Sequence, residues 1–377
     1  MRDVHEQAAR LDAANEPFGI ATVVRTQGST PQVIGAKLIV TPDKGRRPLG
    51  TLGGGCVEAD AIQAAREAIV TGVSSLRAYE LNEQLAWNTG LVCGGTMWIL
   101  AEPGAASLRL EGASVAEDVA AASRGGSPVA WVTRFRREAR GLAVESRMLV
   151  DVGGGRRGSI GTPDEDSRAA REAVVQMRHA VPRLMPLGDQ HDVLIEPITA
   201  RPQLVVAGGG HVARAIARQA GLLDFDVTVL EDRPEFADPA RFDGAKVINE
   251  DVPRAIASFE YGWQSYLVIA TRGHKLDADC VLAAVRTRVP YIGLLGSRRK
   301  TVLIADLLRE EGVDESRIGV IHAPVGLDLG GHAPAEIALS VLAEITKARY
   351  QGTGVELRHR SRSRGDADGA DSSASSA

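Results

Sequence analysis

The chain has 377 residues, of which 44% are hydrophobic and 24% charged, with a net charge of −4. That length predicts two or three domains with real cores, and the charge balance excludes a basic nucleic-acid surface of the usual kind. No apolar run reaches the roughly 20 residues that a bilayer span requires, and the polar start MRDVHEQAARLDAANEP lacks the form of a signal peptide, so no membrane association and a cytoplasmic location are expected.

Residues 1–16 read as a helix. Ile20–Arg25 follows as a strand, then the loop Thr26–Pro31 and a strand over Ala36–Val40. Gly53-Gly54-Gly55 breaks the pattern. Val57–Val70 restores it at helical spacing through Ala61, Ala65, Ala68 and Ile69, with Gly72 as the stop. Leu76–Leu81 and Val92–Leu100 read as strands, and Glu102-Pro103-Gly104 marks a boundary. A middle α+β segment over 105–200 holds helices at Val115–Ala122 and Asp164–His179 and strands at Val129–Phe135, Leu142–Val150 and Val193–Ile198. Gly153–Gly155 reads as a hairpin turn within it.

From Gln203 strands and helices alternate. Strands fall at Leu204–Ala207, Val227–Leu230, Lys246–Ile248, Tyr266–Ala270, Tyr291–Leu295 and Gly319–His322, and the last helix runs from Pro334 to Tyr350. The alternation predicts an α/β fold: a C-terminal Rossmann-like, doubly wound parallel sheet over 201–350, joined to a smaller N-terminal α/β domain over 1–104. Residues 351–377 are low in complexity and read as a disordered tail.

The richest segment is Leu204–Arg233. An apolar strand meets Gly208 and Gly210, a helix follows with Ala213 in the third small position, and a second strand ends in Glu231 and Asp232. This is the order of a dinucleotide-binding unit. Asp232 is the expected ribose-binding acid, with Glu231 as the alternate. Arg233 can meet a 2′-phosphate, pair with Asp232 or cap a helix. His211, at the helix start, faces either a phosphate or water. Gly53, Gly54 and Gly55 ahead of a helix form either an anion site made of backbone N–H groups or a plain bend. Glu58 then complements the helix dipole or faces a proton donor or metal.

Three cysteines are present, none in a CxxC pair, so no disulfide or zinc site is expected. Cys56 is placed in the loop before the helix, where a thiolate is favoured. Cys93 precedes Gly94 and Gly95, glycines that suggest close approach of something to the backbone. Cys280 reads as core. At Gly296-Ser297-Arg298-Arg299-Lys300, Ser297 is the expected N-cap. Three cations crowd a first turn whose dipole opposes them, which favours an anion site led by Arg298. Arg272 lies beyond the strand Tyr266–Ala270, where open α/β sheets bind ligands, and Asp277 is expected to cap the next helix.

These residues together resemble the XdhC/CoxI family, maturation factors for molybdenum hydroxylases such as xanthine dehydrogenase and carbon monoxide dehydrogenase. The resemblance rests on Gly28-Ser29-Thr30-Pro31, Gly50–Gly55 with Val57-Glu58, Cys93-Gly94-Gly95, Gly208–Ala213 with Asp232-Arg233, Gly293–Lys300, His322–Asp328 and Pro334–Glu344. It implies an N-terminal domain and a Rossmann domain that self-associate as a homodimer. It implies binding of the molybdenum cofactor during sulfuration by a cysteine desulfurase and delivery to an apo molybdenum hydroxylase. Soft thiolate suits molybdenum or its sulfur, which makes Cys93 the expected metal-side contact and Cys56 the second. One departure stands out: the family's Ser or Thr before the last helix's proline is Ala333 here, and alanine cannot cap. The alternative reading is an NAD(P)-dependent oxidoreductase or a nucleotide-sensing regulator, for which His274 and His322 are the available histidines.

Overall fold

The computed structural model describes residues 2–81, 94–138, 141–356 and 358. The expected tail beyond these, and Cys93 with them, lie outside the described residues.

The first unit comprises α1 (Arg2–Ala13), β1 (Gly19–Gln27), β2 (Lys37–Val40), β3 (Leu49–Gly50), α2 (Gly55–Thr71), β4 (Ser75–Glu80) and β5 (Thr96–Pro103). Its strands form an antiparallel sheet in the order β3-β2-β1-β5-β4. Helix α2 ends where expected: Gly72 adopts φ +71° and donates to the Ala68 carbonyl, a left-handed stop that glycine takes without strain. The small residues Ala61, Ala64, Ala65 and Ala68 of α2 bring it close against Ala21, Val23 and Ile99 on one face of the sheet.

The chain continues through α3 (Gly104–Ser107), β6 (Arg109–Leu110), β7 (Ala113–Ser114), α4 (Ala116–Arg124), β8 (Val129–Glu138), β9 (Gly141–Asp151), β10 (Arg156–Ser159), α5 (Pro163–His179), β11 (Arg183–Leu187) and β12 (His191–Ile198). A second antiparallel sheet results, in the order β10-β9-β8-β12-β11. Thr162 and Glu165 close a reciprocal capping box at the start of α5, with Pro163 at the first helical position. The small face of α5, Ala169, Ala170 and Ala173, packs on Val132, Met148 and Ile195.

The inner faces of the two sheets meet. Ile20 and Ile39 share a cluster with Trp131, Leu149 and Ile198, and Val24 and Leu100 share another with Phe135 and Leu194. Residues 2–198 therefore make four layers, helix-sheet-sheet-helix, around one inter-sheet core. Two ion pairs cross that core: Lys37 with Glu196 at 2.7 Å, and Arg147 with Glu102. They border a cavity of about 40 Å³ that also touches His5 and Thr133. Burial, aided by the Lys37 charge, pushes the His5 imidazole down to about 3, so it is neutral there.

The second unit contains β13 (Gln203–Ala207), α6 (His211–Leu222), β14 (Asp226–Glu231), β15 (Lys246–Asn249), α7 (Val252–Ser258), β16 (Ser265–Ile269), α8 (His274–Val285), β17 (Tyr291–Leu294), α9 (Arg298–Glu310), α10 (Glu315–Ile318), β18 (Ile321–His322) and α11 (Pro334–Tyr350). Its six strands are all parallel, in the order β15-β14-β13-β16-β17-β18. Helices α6 and α11 cover one face, and α7, α8 and α9 the other. This is the doubly wound arrangement the alternation predicts. The order in which the chain adds strands reverses between β13 and β16, which opens a crevice at the carboxyl ends of the strands. Cys280 is fully buried, as expected. The last strand is shorter than predicted. Among the described residues, no helix is long and apolar enough to cross a membrane.

The inter-sheet ion pairs predict a measurable stability effect. Glu196→Ala leaves Lys37 charged and without its carboxylate in the core, which costs about 3 kcal/mol. Urea denaturation should register that loss, and the double substitution Lys37→Met/Glu196→Leu should recover most of it. A single-variant loss below about 1 kcal/mol would mean that the pair behaves as a solvated surface bridge.

Candidate functional site

Two clusters gather the residues singled out in the sequence. The first lies at one end of the first sheet. Gly53 has φ +102°, and an added Cβ there would sit 2.8 Å from Pro31 Cβ. A Cβ on Gly95 would meet the Ser29 carbonyl oxygen at 2.4 Å and that of Gln27 at 2.5 Å. The loop after β1 thus lies against both glycine runs. The close approach expected at Gly94-Gly95 is that of the chain's own backbone onto Gly95. Gly94 itself is exposed, with open space where a side chain would be.

The anion site expected at Gly53, Gly54 and Gly55 already has an anion. Glu58 Oε2 accepts from Leu52 N at 2.6 Å, Gly54 N at 3.1 Å and Thr51 Oγ1 at 2.6 Å. Thr51 Oγ1 in turn accepts from Gly53 N at 3.1 Å. Burial raises the affinity of this carboxyl for its proton. The hydrogen bonds from Thr51, Leu52, Gly54 and Gly53 outweigh burial and leave Glu58 below the ordinary glutamate value. The correction has a simple cause: a first-turn glutamate reaches back to the same N–H groups that a phosphate would use. Helix α2 also begins earlier than predicted, so Cys56 stands in its first turn instead of the preceding loop, and it is exposed.

The second cluster is the crevice of the parallel sheet. The carboxyl ends of β13, β14, β16 and β17 bring together Gly208, Gly210 and His211, then Asp232 and Arg233, then Arg272, then Gly296, Ser297 and Arg298. Gly208 has φ +115°, and a Cβ there would strike the Ala270 carbonyl at 2.4 Å. Only glycine fits where these two strand ends touch. Gly210 is the N-cap of α6, nothing lies within 4 Å of a Cβ built on it, and no side chain caps the helix. His211 is exposed.

The acids depart from the prediction. Glu231, not Asp232, is the last residue of β14. It is buried, and its carboxylate accepts from Gly209 N at 2.6 Å and from Arg233 Nε at 2.9 Å. Arg233 therefore pairs with Glu231 and lies over the Phe236 ring at 3.7 Å. Asp232 stands past the strand in a two-pronged pair with Arg272, at 2.6 and 2.8 Å. The Arg272 guanidinium holds the Asp232 carboxyl down at about 2. With Glu231 and this clasp in place the crevice measures about 80 Å³.

The cationic helix start splits. Ser297 caps α9 as expected, accepting from Lys300 N. Arg298 and Arg299 are exposed. Lys300 turns inward to Asp277 and the Leu295 carbonyl at 3.0 Å. Asp277 is no cap: Gly273 holds that position, and Asp277 accepts from Thr271 Oγ1 at 2.6 Å. The chain Thr271–Asp277–Lys300 ties the ends of β16 and β17 to α8 and α9. A buried partner three residues into a helix leaves no signal in sequence spacing.

His322 has the partner that the sequence did not reveal. Its Nδ1 lies 2.6 Å from Glu344 Oε1, and the ring stacks on Tyr291. Burial raises the Glu344 carboxyl, but hydrogen bonds from His322, Gly326 N and Tyr291 outweigh it and hold the group below its ordinary value. Nδ1 therefore carries the proton. The His274 side chain lies outside the described residues. Ala333 indeed offers no cap, and Glu336 supplies half of one by accepting from His332 N and Ala333 N, both at 2.9 Å. Among the described residues no group of three or more His, Cys, Asp or Glu is placed to hold a metal ion. The hydrogen bonds and ion pairs of the described residues do not join Gly53–Glu58 to the crevice.

A parallel sheet with this strand order and a glycine-rich first turn defines a Rossmann-type unit, carried here behind a double-sheet sandwich. The chain belongs to the XdhC and CoxI family: the XdhC and CoxI family model matches residues 11–80, and the XdhC Rossmann domain matches residues 204–345. It is 27% identical over 353 residues to a Bacillus subtilis protein described as a probable xanthine dehydrogenase subunit, covering 93% of this chain and 98% of that one. It is 32% identical over 225 residues to the uncharacterised Escherichia coli protein YqeB, a match over 55% of this chain that spans only 41% of YqeB. The fold is shared with a Bacillus halodurans protein described as a xanthine dehydrogenase, with a TM-score of 0.67, 21% identity, and coverage of 94% and 98% of the two chains.

The Glu58 network fixes a pH dependence. A folded value below the unfolded one means that the stabilisation is complete above about pH 4.3 and is lost as pH falls through the folded value. Glu58→Gln should cost about 1–2 kcal/mol at pH 7, and the gap to the natural protein should narrow toward about pH 3. Thermal melts at both pH values check this. A gap of equal size at both would show that the ionised carboxylate is not what holds the turn.

Proposed function

We propose that this protein is a maturation factor for a molybdenum hydroxylase. In this reading it binds molybdenum cofactor, holds it while a cysteine desulfurase supplies the terminal sulfur, and passes it to the apo-enzyme, acting as a homodimer in the cytoplasm. Family membership supports the reading. The observation that carries it in this chain is the contrast between its two glycine turns. Glu58 fills one, whereas the N-terminus of α6 at Gly210 has no capping side chain and faces a crevice lined by Arg233 and Arg272.

The cargo carries a phosphate and a dithiolene. Backbone N–H groups at Gly210 and His211, at the positive end of α6, suit the phosphate. Arg272 can exchange its Asp232 partner for that anion. The thiol of Cys56 is exposed beside the glycine cluster and suits the soft end, together with Cys93, which follows in the chain just before Gly94. The reaction asks these residues to hold and shield, not to transform.

A second reading uses the same crevice. Glu231 ends β14 at the position of a ribose-binding acid, and a nucleotide, NAD(P) included, would take the carboxylate from Arg233, which now holds it. Titration with NADH and NADP separates the cases. Saturable binding with hydride transfer makes the chain an oxidoreductase, and binding without turnover makes it a nucleotide-sensing regulator.

The direct test is purification from a molybdenum-competent host, with cofactor measured by its oxidised fluorescent derivative and by metal analysis. Bound cofactor is expected, with Cys56→Ser and Cys93→Ala each lowering retention or transfer. Protein that never binds freshly supplied cofactor overturns the proposal. The clasp makes a further prediction of opposite signs. Asp232→Asn removes the stronger of Arg272's two carboxylate partners, leaving Glu231 at 3.7 Å, and should tighten binding of a phosphate-bearing ligand several-fold, and Arg272→Gln should weaken it by roughly tenfold. Equal shifts in both variants would remove Arg272 from the site.

A further inference from the structure

A groove of about 620 Å³ lies on the opposite side of the parallel sheet from the crevice, at the amino ends of its strands. It is several times larger than the crevice and within the range of small-molecule sites. Its floor is an aromatic ladder. Tyr266 and Tyr291 are direct cross-strand partners in β16 and β17, with ring centroids 5.5 Å apart. His322, on β18, stacks on Tyr291 at 4.2 Å and 24°. Residues 291 and 293 share a face of β17, and Gly293 is the register partner of His322. Without a side chain at 293, the two rings can meet.

The walls add charge and a further ring. Trp263 stands at the rim, 44% exposed, in a loop pinned by Gly262 N donating to Ser265 Oγ at 2.7 Å. Arg178, at the end of α5, and Arg288, before β17, flank the groove from two different units. Both are exposed, and among the described residues neither has an ion-pair partner. The contact between His179 Nε2 and Gln351 Nε2 at 2.8 Å joins the ends of α5 and α11 beside it. Glu344 is the nearby acid, and it is already engaged by His322, Tyr291 and Gly326 N.

We propose that this groove is a second ligand site, separate from the crevice, and that it takes a planar heteroaromatic ring bearing an anionic group such as a phosphate. The exposed Trp263 indole and the part-exposed His322 ring can stack on a ring, and the buried Tyr291 backs the His322 ring. Two arginines without carboxylate partners bind the anion. Glu344 engages His322 Nδ1, which leaves Nε2 as the ring nitrogen free to hydrogen-bond a ligand. A simple phosphate satisfies only the arginines, and a bare ring only the floor. The ligand class follows from needing both.

The test is calorimetric titration of the full chain with guanosine 5′-monophosphate, guanosine and ribose 5-phosphate as probes. The nucleotide should bind saturably, guanosine at least about tenfold more weakly, and ribose 5-phosphate not measurably. Arg288→Gln and Trp263→Leu, both at exposed positions, should each weaken nucleotide binding by about tenfold, with unchanged thermal melts confirming the fold. In Arg272→Gln, which removes the crevice's phosphate contact, the binding step that Arg288→Gln weakens should persist. Absence of nucleotide binding overturns the proposal. So does a loss that follows Arg272→Gln and ignores Arg288→Gln, which assigns the nucleotide to the crevice. Cofactor retention is not read in this experiment, so its failure and that of the maturation role are told apart.

Discussion

The interaction on which the structure most depends is a carboxylate accepting backbone N–H groups at a turn. Glycine turns leave those donors converging on one point, and an unmet buried donor is costly. This chain meets them with its own acids. Glu58 holds the turn before α2, and Asp151 closes the β9–β10 hairpin by accepting from Gly153 and Gly155. Glu231 takes Gly209 in the nucleotide-type loop, and Glu344 takes Gly326. The N-terminus of α6 at Gly210, like that of α8 at Gly273, has no such side chain.

The same pairing rule governs the buried cations. Lys37 and Arg147 enter the inter-sheet core with Glu196 and Glu102. Lys300 enters the sheet's carboxyl edge with Asp277. Each pair joins elements far apart in sequence, and each is costly to break on one side only. Such pairs fix how sheets and helices sit against one another more than they add to net stability. They also separate structural cations from available ones. With Lys300 consumed, Arg298 and Arg299 remain for an anion, and at the opposite edge so do Arg178 and Arg288.

Much of this architecture was legible in the sequence because it is local. Alternating apolar runs gave the parallel strands, and the Pro334–Tyr350 helix agrees with its predicted limits. Gly72 ended α2, Ser297 capped α9, and the 153–155 glycines made a hairpin. The sandwich was not legible. Residues 1–104 and 105–200 read as separate segments, but Ile20 and Trp131 lie in one core, and nothing in the period of either segment announces its partner. The acids at the end of β14 were both visible. Which one turned inward depended on where the strand stopped.

By itself, the amino-acid sequence determined which backbone turns exist, where helices start and stop, and which residue types are available for chemistry, because those follow from short-range sterics and periodicity. The tertiary structure alone decided what occupies each turn. A glycine loop offers the same donors to a phosphate as to a glutamate several residues away. The choice rests on distances that only the folded chain sets: Glu58 reaches its own turn, Glu231 reaches Gly209, and the aromatic ladder at the far edge of the sheet takes shape only when three strands align.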